Sequence, residues 1–189
     1  MATEVEICNA ALAKLRARRI TSLSDDSLEG RTCKDTYFIS RDALLASQPW
    51  NFATRRAQVA QIAGLVPAFQ YTRAYQLPGD CLGVFDSNIP NEVDWIIESG
   101  QLLTNYTDVI AVRYAWRNTD TSSYQPAFQE VLAYKMAAEM AYTITQNATL
   151  AANMQTLWKE KMREARSYSA QQRGSQQAPE ASSWLDSRY

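Results

Sequence analysis

Apolar residues recur at helical spacing toward both ends of this 189-residue chain and at strand spacing in its middle. Val5, Cys8, Leu12 and Leu15 fall three, four and three residues apart, which predicts a helix from Thr3 to about Ala17. Thr3 and Glu6 have the spacing of a capping box, and the basic run Arg16–Arg19 suits the negative end of the helix dipole. Ser24 predicts the cap of a second helix, with Asp25 and Asp26 in its first turn. That helix carries Tyr37, Phe38, Arg41, Leu44 and Leu45. It should end near Ser47, because Pro49 disfavours helical geometry at Gln48.

From Gln48 to Trp116 the period shortens. This stretch holds four of the six prolines and four of the six glycines. Phe69, Tyr71, Tyr75 and Leu77 read as one side of an extended segment, and Pro78-Gly79-Asp80 reads as a turn. Leu82, Val84 and Phe85 make a short strand. Val93–Glu98 and Gln101–Thr104 flank the two-residue turn Ser99-Gly100, the clearest hairpin signal in the chain. Asp108–Trp116 is a further strand with Ile110, Val112, Tyr114 and Trp116 on its core side.

Helical spacing returns after the polar loop Asn118–Ser123. Pro126 suits the first turn of a third helix reaching about Asn147, where large residues such as Phe128, Leu132 and Met136 alternate with alanines. Asn147 is placed to cap a fourth helix with the stripe Leu150, Met154, Leu157, Trp158, Met162 and Ala165. So short a connection predicts an antiparallel helix pair. Gly174–Tyr189 is linker-like in composition but ends in Trp184, Leu185, Asp186, Ser187, Arg188 and Tyr189. The composition also suits a disordered terminus, but Trp and Tyr are common interface anchors, and the functional reading is a segment that orders on a partner.

Together these elements predict an α+β chain: an antiparallel helical bundle of about four helices (1–48 and 118–173), a β-rich insertion between helix 2 and helix 3 (49–117), and an extended C-terminal tail (174–189). Trp50 and Trp116 should lie together at the base of the insertion, with the Ser99-Gly100 hairpin at its far end.

Composition narrows the chemistry. There is no histidine, which removes the commonest general base and the His-dependent nucleophile pairs. Cys8, Cys33 and Cys81 form no CxxC and read as small buried apolar residues. No apolar run approaches the ~20 residues of a membrane span, and the opening residues show no export signal, so a cytosolic origin is expected. The net charge is −1, unevenly spread. Asp80, Asp86, Glu92, Asp94, Glu98 and Asp108 occupy a stretch without Lys or Arg, while Lys159–Arg173 and Lys14–Arg19 are basic. Such poles suit charge-complementary stacking on other proteins.

No phosphate-binding loop, dinucleotide fingerprint or catalytic serine motif is present. Asp25-Asp26 reads as helix-start acid, and Asp80, Asp94 and Glu98 are separated by turns. Binding or assembly is therefore favoured over catalysis, with no cofactor or metal expected. Arg55, Arg56 and Arg73 beside aromatic residues suggest an alternative, a nucleic-acid-binding module, although charges capping a strand edge explain Arg55 and Arg56 as well. A small metal-using enzyme built on acidic residues is the third reading.

One order of signals stands out. Ile7-Cys8-Asn9-Ala10-Ala11-Leu12 is followed by Trp50-Asn51-Phe52-Ala53, then by Tyr75-Gln76-Leu77-Pro78-Gly79-Asp80-Cys81-Leu82. The segment Trp95–Asn105, then Val112-Arg113-Tyr114, then Pro126-Ala127-Phe128 complete it. Over residues 3–170 this resembles the tail tubular protein A family of short-tailed phages, also called head-to-tail adaptors or gatekeepers. The resemblance implies a structural virion protein made in the host cytoplasm and used in the tail neck. It implies a homo-oligomeric ring of twelve copies that joins the portal protein to the tail nozzle or next tail ring. DNA would pass through its channel without sequence-specific binding. On this reading Trp184, Leu185, Arg188 and Tyr189 dock on the portal, although the matching motifs stop short of them. Asp86, Glu92, Asp94, Glu98 and Asp108 face the tail side or the channel. Arg55, Arg56 and Arg73 remain possible DNA or subunit contacts.

Overall fold

The first helix, α1 (Glu4–Lys14), opens with the expected capping box: Thr3 Oγ1 accepts the Glu6 N–H at 3.2 Å and Glu6 Oε2 accepts the Thr3 N–H at 2.7 Å. It stops three residues earlier than its basic run suggests. Arg16 adopts φ 57°, and the Arg16 and Ala17 N–H groups fold back onto the Ala13 and Leu12 carbonyls. This is a left-handed helix stop with arginine in place of the usual glycine. This computed structural model describes residues 2–171.

The second helix, α2 (Leu28–Ala46), is capped by Ser27, whose hydroxyl accepts the Gly30 N–H at 3.0 Å, and not by Ser24. The reason is local. The Asp25 carboxylate accepts the Thr21 N–H at 2.8 Å and its hydroxyl at 3.1 Å, which ties 21–25 into a turn ahead of the helix. Those hydrogen bonds, the Thr21 N–H first, hold the Asp25 carboxyl below its usual pKa. The loop is anchored on α1 by Asn9, whose side chain donates to Ile20 C=O and accepts from Ile20 N–H, each at 2.9 Å.

Six strands follow: β1 (Thr54–Gln61), β2 (Arg73–Gln76), β3 (Cys81–Ser87), β4 (Trp95–Glu98), β5 (Gln101–Thr104) and β6 (Ile110–Trp116). They form one antiparallel sheet in the order β3-β6-β1-β2-β5-β4. The β4–β5 hairpin turns through Ser99 (φ 49°) and Gly100 (φ 75°), the left-handed pair of a tight hairpin turn. β2 is shorter than expected. Gln70 at φ 67° breaks the extended segment, so Phe69 lies in a loop with 84% of its surface exposed. The central strand β1 was not foreseen.

Helix α3 (Pro126–Thr145) begins with Pro126 and ends at Gln146 in the left-handed region. Asn147 then caps α4 (Ala148–Gln171), its Oδ1 accepting the Leu150 N–H at 3.0 Å.

The expected helical bundle with a projecting β-insertion is not what forms. The protein is α+β, and its described residues form four α-helices and a six-stranded antiparallel sheet curved as a half-barrel. Two physical causes account for the difference. First, α3 is buried on most of its circumference, from Phe128 through Ala141, and α1, α2 and α4 each pack on it instead of closing a ring of equals. Second, the sheet has a core of its own, built from Val59, Tyr75, Leu77, Leu102, Ile110, Val112 and Tyr114. Register shifts on β3 between Cys81 and Gly83 and between Val84 and Asp86 bend that edge.

Helices and sheet meet at an aromatic cluster. The Phe128 ring lies 5.1 Å from Trp50, 5.0 Å from Phe52 and 4.9 Å from Tyr124. Trp50 is fully buried and donates its indole N–H to Leu44 C=O at 2.9 Å. Trp116 packs against both cores, and register sets Thr54 opposite Ala115. The main helix–sheet contacts are those of α2 with β3 and β6, so the β4 edge is the far side of the sheet.

Candidate functional site

The three arginines do not share a face. Successive residues of a strand point to opposite sides, so Arg55 and Arg56 diverge. Arg55 lies on the side of Tyr114, its register partner, with its guanidinium 3.5 Å from the Trp116 ring centroid and Nη1 3.1 Å from Asp80 Oδ2. The other Asp80 oxygen accepts the Tyr114 hydroxyl at 3.2 Å. Burial, and then the Asp80 charge, push the Tyr114 phenol above its ordinary pKa. Arg56 stands directly opposite Arg113 on the outer face, and Arg113 reaches Asp86 at 3.4 Å. Arg73 is on β2, where it donates to Gln61 Oε1 at 3.2 Å.

The acidic residues divide as well. Asp86, Glu92, Asp94, Glu98 and Asp108 are all exposed. Asp86 lies on the β3 edge and is paired with Arg113, whereas Asp94 and Glu98 belong to the opposite edge. Glu92 precedes β4, and Asp108 lies in the β5–β6 loop beside Tyr106. Trp184, Leu185, Arg188 and Tyr189 fall outside the described residues.

Two surfaces that pattern reading missed are better formed. The first is on the far edge. Ile96 and Glu98 lie on the face of β4 that turns away from the sheet core, opposite Leu103 and Gln101, and exposed Asp94 immediately precedes the strand. The loop between β1 and β2 lies beside them. Its Leu65, Pro67, Phe69 and Tyr71 line a cavity of about 340 Å³ with Glu98, Gln101 and Leu103. Phe69, Val66 and Ile96 are exposed by 84%, 70% and 40%. Large exposed apolar side chains grouped in this way mark interaction sites.

The second surface is a groove of about 420 Å³ where the end of α2 meets α3 and α4. Leu44, Trp158 and Met162 supply its apolar wall. Lys135, Lys159, Arg163 and Arg166 supply its charge, and no carboxylate lines it. Lys135 sits 5.2 Å from the Trp158 ring centroid and is paired with Glu139, which also accepts the Ser40 hydroxyl. Lys159, Arg163 and Arg166 are exposed and make no ion pair among the described residues. Their spacing of four and three, beside Trp158 and Met162, was the available signal. The approach of the end of α2 was not.

Reactive groups are few. Cys8 and Cys33 are buried in the helical core, where Cys33 Sγ donates to Met140 Sδ at 3.9 Å, and the neighbouring Cys33 thiol, followed by burial, pushes the Cys8 thiol up. Cys81 is half-buried, and burial pushes its thiol up too. Neither setting favours a nucleophilic thiolate at Cys8 or Cys81. Among the described residues, no group of three or more His, Cys, Asp or Glu is placed to hold a metal ion, and no helix is long and apolar enough to cross a membrane. No protein-family model matches the chain, and no curated protein matches it. What the geometry offers is surface binding: one acidic apolar face and one basic apolar groove.

Proposed function

We propose that this chain is a subunit of a ring-shaped adaptor in the neck of a phage virion, joining the portal to the tail nozzle or next tail ring. The observation that carries this reading is the pair of apolar surfaces of opposite charge set far apart on one chain. Such a subunit suits repetitive assembly. The order of segments from Ile7 to Phe128 described above supports the same assignment. In the ring of twelve that the resemblance implies, DNA traverses the channel without sequence-specific contact. Exposed carboxylates on a channel wall let DNA slide, because they repel phosphates that lysine and arginine would hold.

The three arginines do not form the common face that the nucleic-acid-binding alternative calls for. Arg55 is engaged by Trp116 and Asp80, Arg56 points to the opposite face of the same strand, and Arg73 lies on β2. The test is cryo-EM and mass photometry of the purified chain mixed with the portal of its own particle. A closed ring seated on the portal is expected. A chain that stays monomeric and does not engage the portal overturns the assignment.

A further inference from the structure

We infer that neighbouring subunits join head to tail, the far sheet edge of one copy seating in the α2–α4 groove of the next. This rests on the ring-forming reading and supplies the contact it requires.

The two surfaces are both apolar and are opposite in charge. The groove has an apolar wall of Leu44, Trp158 and Met162 beside Lys159, Arg163 and Arg166, three cations that make no ion pair among the described residues. The sheet edge offers Phe69 and Ile96 for the apolar wall, with Asp94 and Glu98 alongside for the cations. A phenyl ring exposed to water over 84% of its surface gains most from burial in such a pocket. The opposed charges fix register and reject like-charged surfaces.

The contact cannot close within one chain. α4 packs on α3, and the main helix–sheet contacts are made through β3 and β6, at the end opposite β4. An interface between two different patches of identical subunits is heterologous, and its repetition generates a ring or a filament. Asp94 and Glu98 therefore face the adjacent subunit, which leaves Asp86, Glu92 and Asp108 for the tail-side or channel surface.

A charge-reversal pair tests this by sedimentation velocity, with the chain alone and with portal added. One variant carries Lys159→Glu, Arg163→Glu and Arg166→Glu; the other carries Asp94→Lys and Glu98→Lys. All five positions are exposed, and unchanged thermal melts confirm that each variant folds. The wild-type chain should associate with rising concentration, or once portal is added. Each reversal alone should weaken association at least about tenfold, since like charges then meet across the contact. An equimolar mixture of the two should recover it, because acidic grooves then meet basic edges and basic grooves meet acidic edges. Phe69→Ser should weaken association without any rescue by charge. Reversals that leave association unchanged overturn this contact while the ring reading stands. Loss of association that the mixture does not repair also overturns it, and points to the portal or to residues 172–189 as the groove's occupant. A wild-type chain that never self-associates, with or without portal, overturns both.

Discussion

Replacing Gly30 with alanine sets two effects of opposite sign against each other. In a helix interior, Gly to Ala gains about 0.8–1.0 kcal/mol from propensity alone. Gly30 is the third residue of α2, in its first turn, so a chain judged by sequence would be stabilised. The fold says otherwise. A Cβ at this position would sit 2.4 Å from the Asp25 carbonyl oxygen and 3.0 Å from Asp25 Cβ. The obstacle is backbone, and Thr21 holds that turn through the Asp25 carboxylate, so it cannot simply move aside. Inserting a methyl group into such a contact costs about 1–3 kcal/mol, to which the lost turn bonds add. The expected net is a destabilisation of about 1–2 kcal/mol, or ~2–8 °C in Tm for a domain of this size. Gly83 in β3 is the control. A Cβ there meets nothing within 4 Å, so Gly83→Ala should stay within about 0.5 kcal/mol of wild type. Urea denaturation with thermal melts decides the matter. A Gly30→Ala chain as stable as wild type, or more so, would refute the placement of the 21–25 turn against α2.

Three further outcomes are expected. Trp50→Ala removes a fully buried ring packed on Phe128 and the indole bond to Leu44, and should cost about 3–5 kcal/mol in chemical denaturation. Asn9→Ala leaves both backbone groups of Ile20 without their partner and should cost about 1–3 kcal/mol, with faster amide exchange at Ile20. Asn9→Asp should not rescue it, because a carboxylate cannot donate to the Ile20 carbonyl. Stability should also fall in alkali. Burial pushes the Tyr124 phenol from 10 up to about 12 and raises Tyr37 further. The folded state therefore favours the neutral phenols, and their contribution is complete below about pH 10 and lost as pH rises through 12. Denaturation midpoints measured between pH 8 and 12 should hold steady and then drop, and Tyr124→Phe should flatten part of the drop.

The legible parts of the fold were those whose signals are local. The capping box at Thr3, the Ser99-Gly100 hairpin, Pro126 and the Asn147 cap all act within a few residues. β1 was illegible for a physical reason. Its sequence, Thr-Arg-Arg-Ala-Gln-Val-Ala-Gln, buries only Val59, because the strand spans the sheet with polar residues on both sides and Arg55 lies over Trp116. The second helix was started too early because Ser24-Asp25-Asp26 has the composition of a helix cap, while Asp25 is engaged with Thr21. Its end near Ser47 was read correctly. The candidate surfaces were half legible. Phe69 and Glu98 were noticed as residues, but only the tertiary fold brings the 62–72 loop beside β4 and the end of α2 beside α4.

The position of α3 at the centre of the helices governs the order in which the chain can fold. α1 and α2 touch each other little, and both rest on a helix that begins at residue 126. β1 likewise finds Ala115 as the partner of Thr54 only after some sixty further residues have been made. During synthesis the first half of the protein therefore leaves the ribosome with its apolar faces uncovered. Hairpin β4–β5 and the α3–α4 pair can close locally, whereas the remainder waits on long-range closure. Once Phe128 and its neighbours emerge, α1, α2 and the sheet base have the helix they rest on, so the helical core can close only after that late segment has been made.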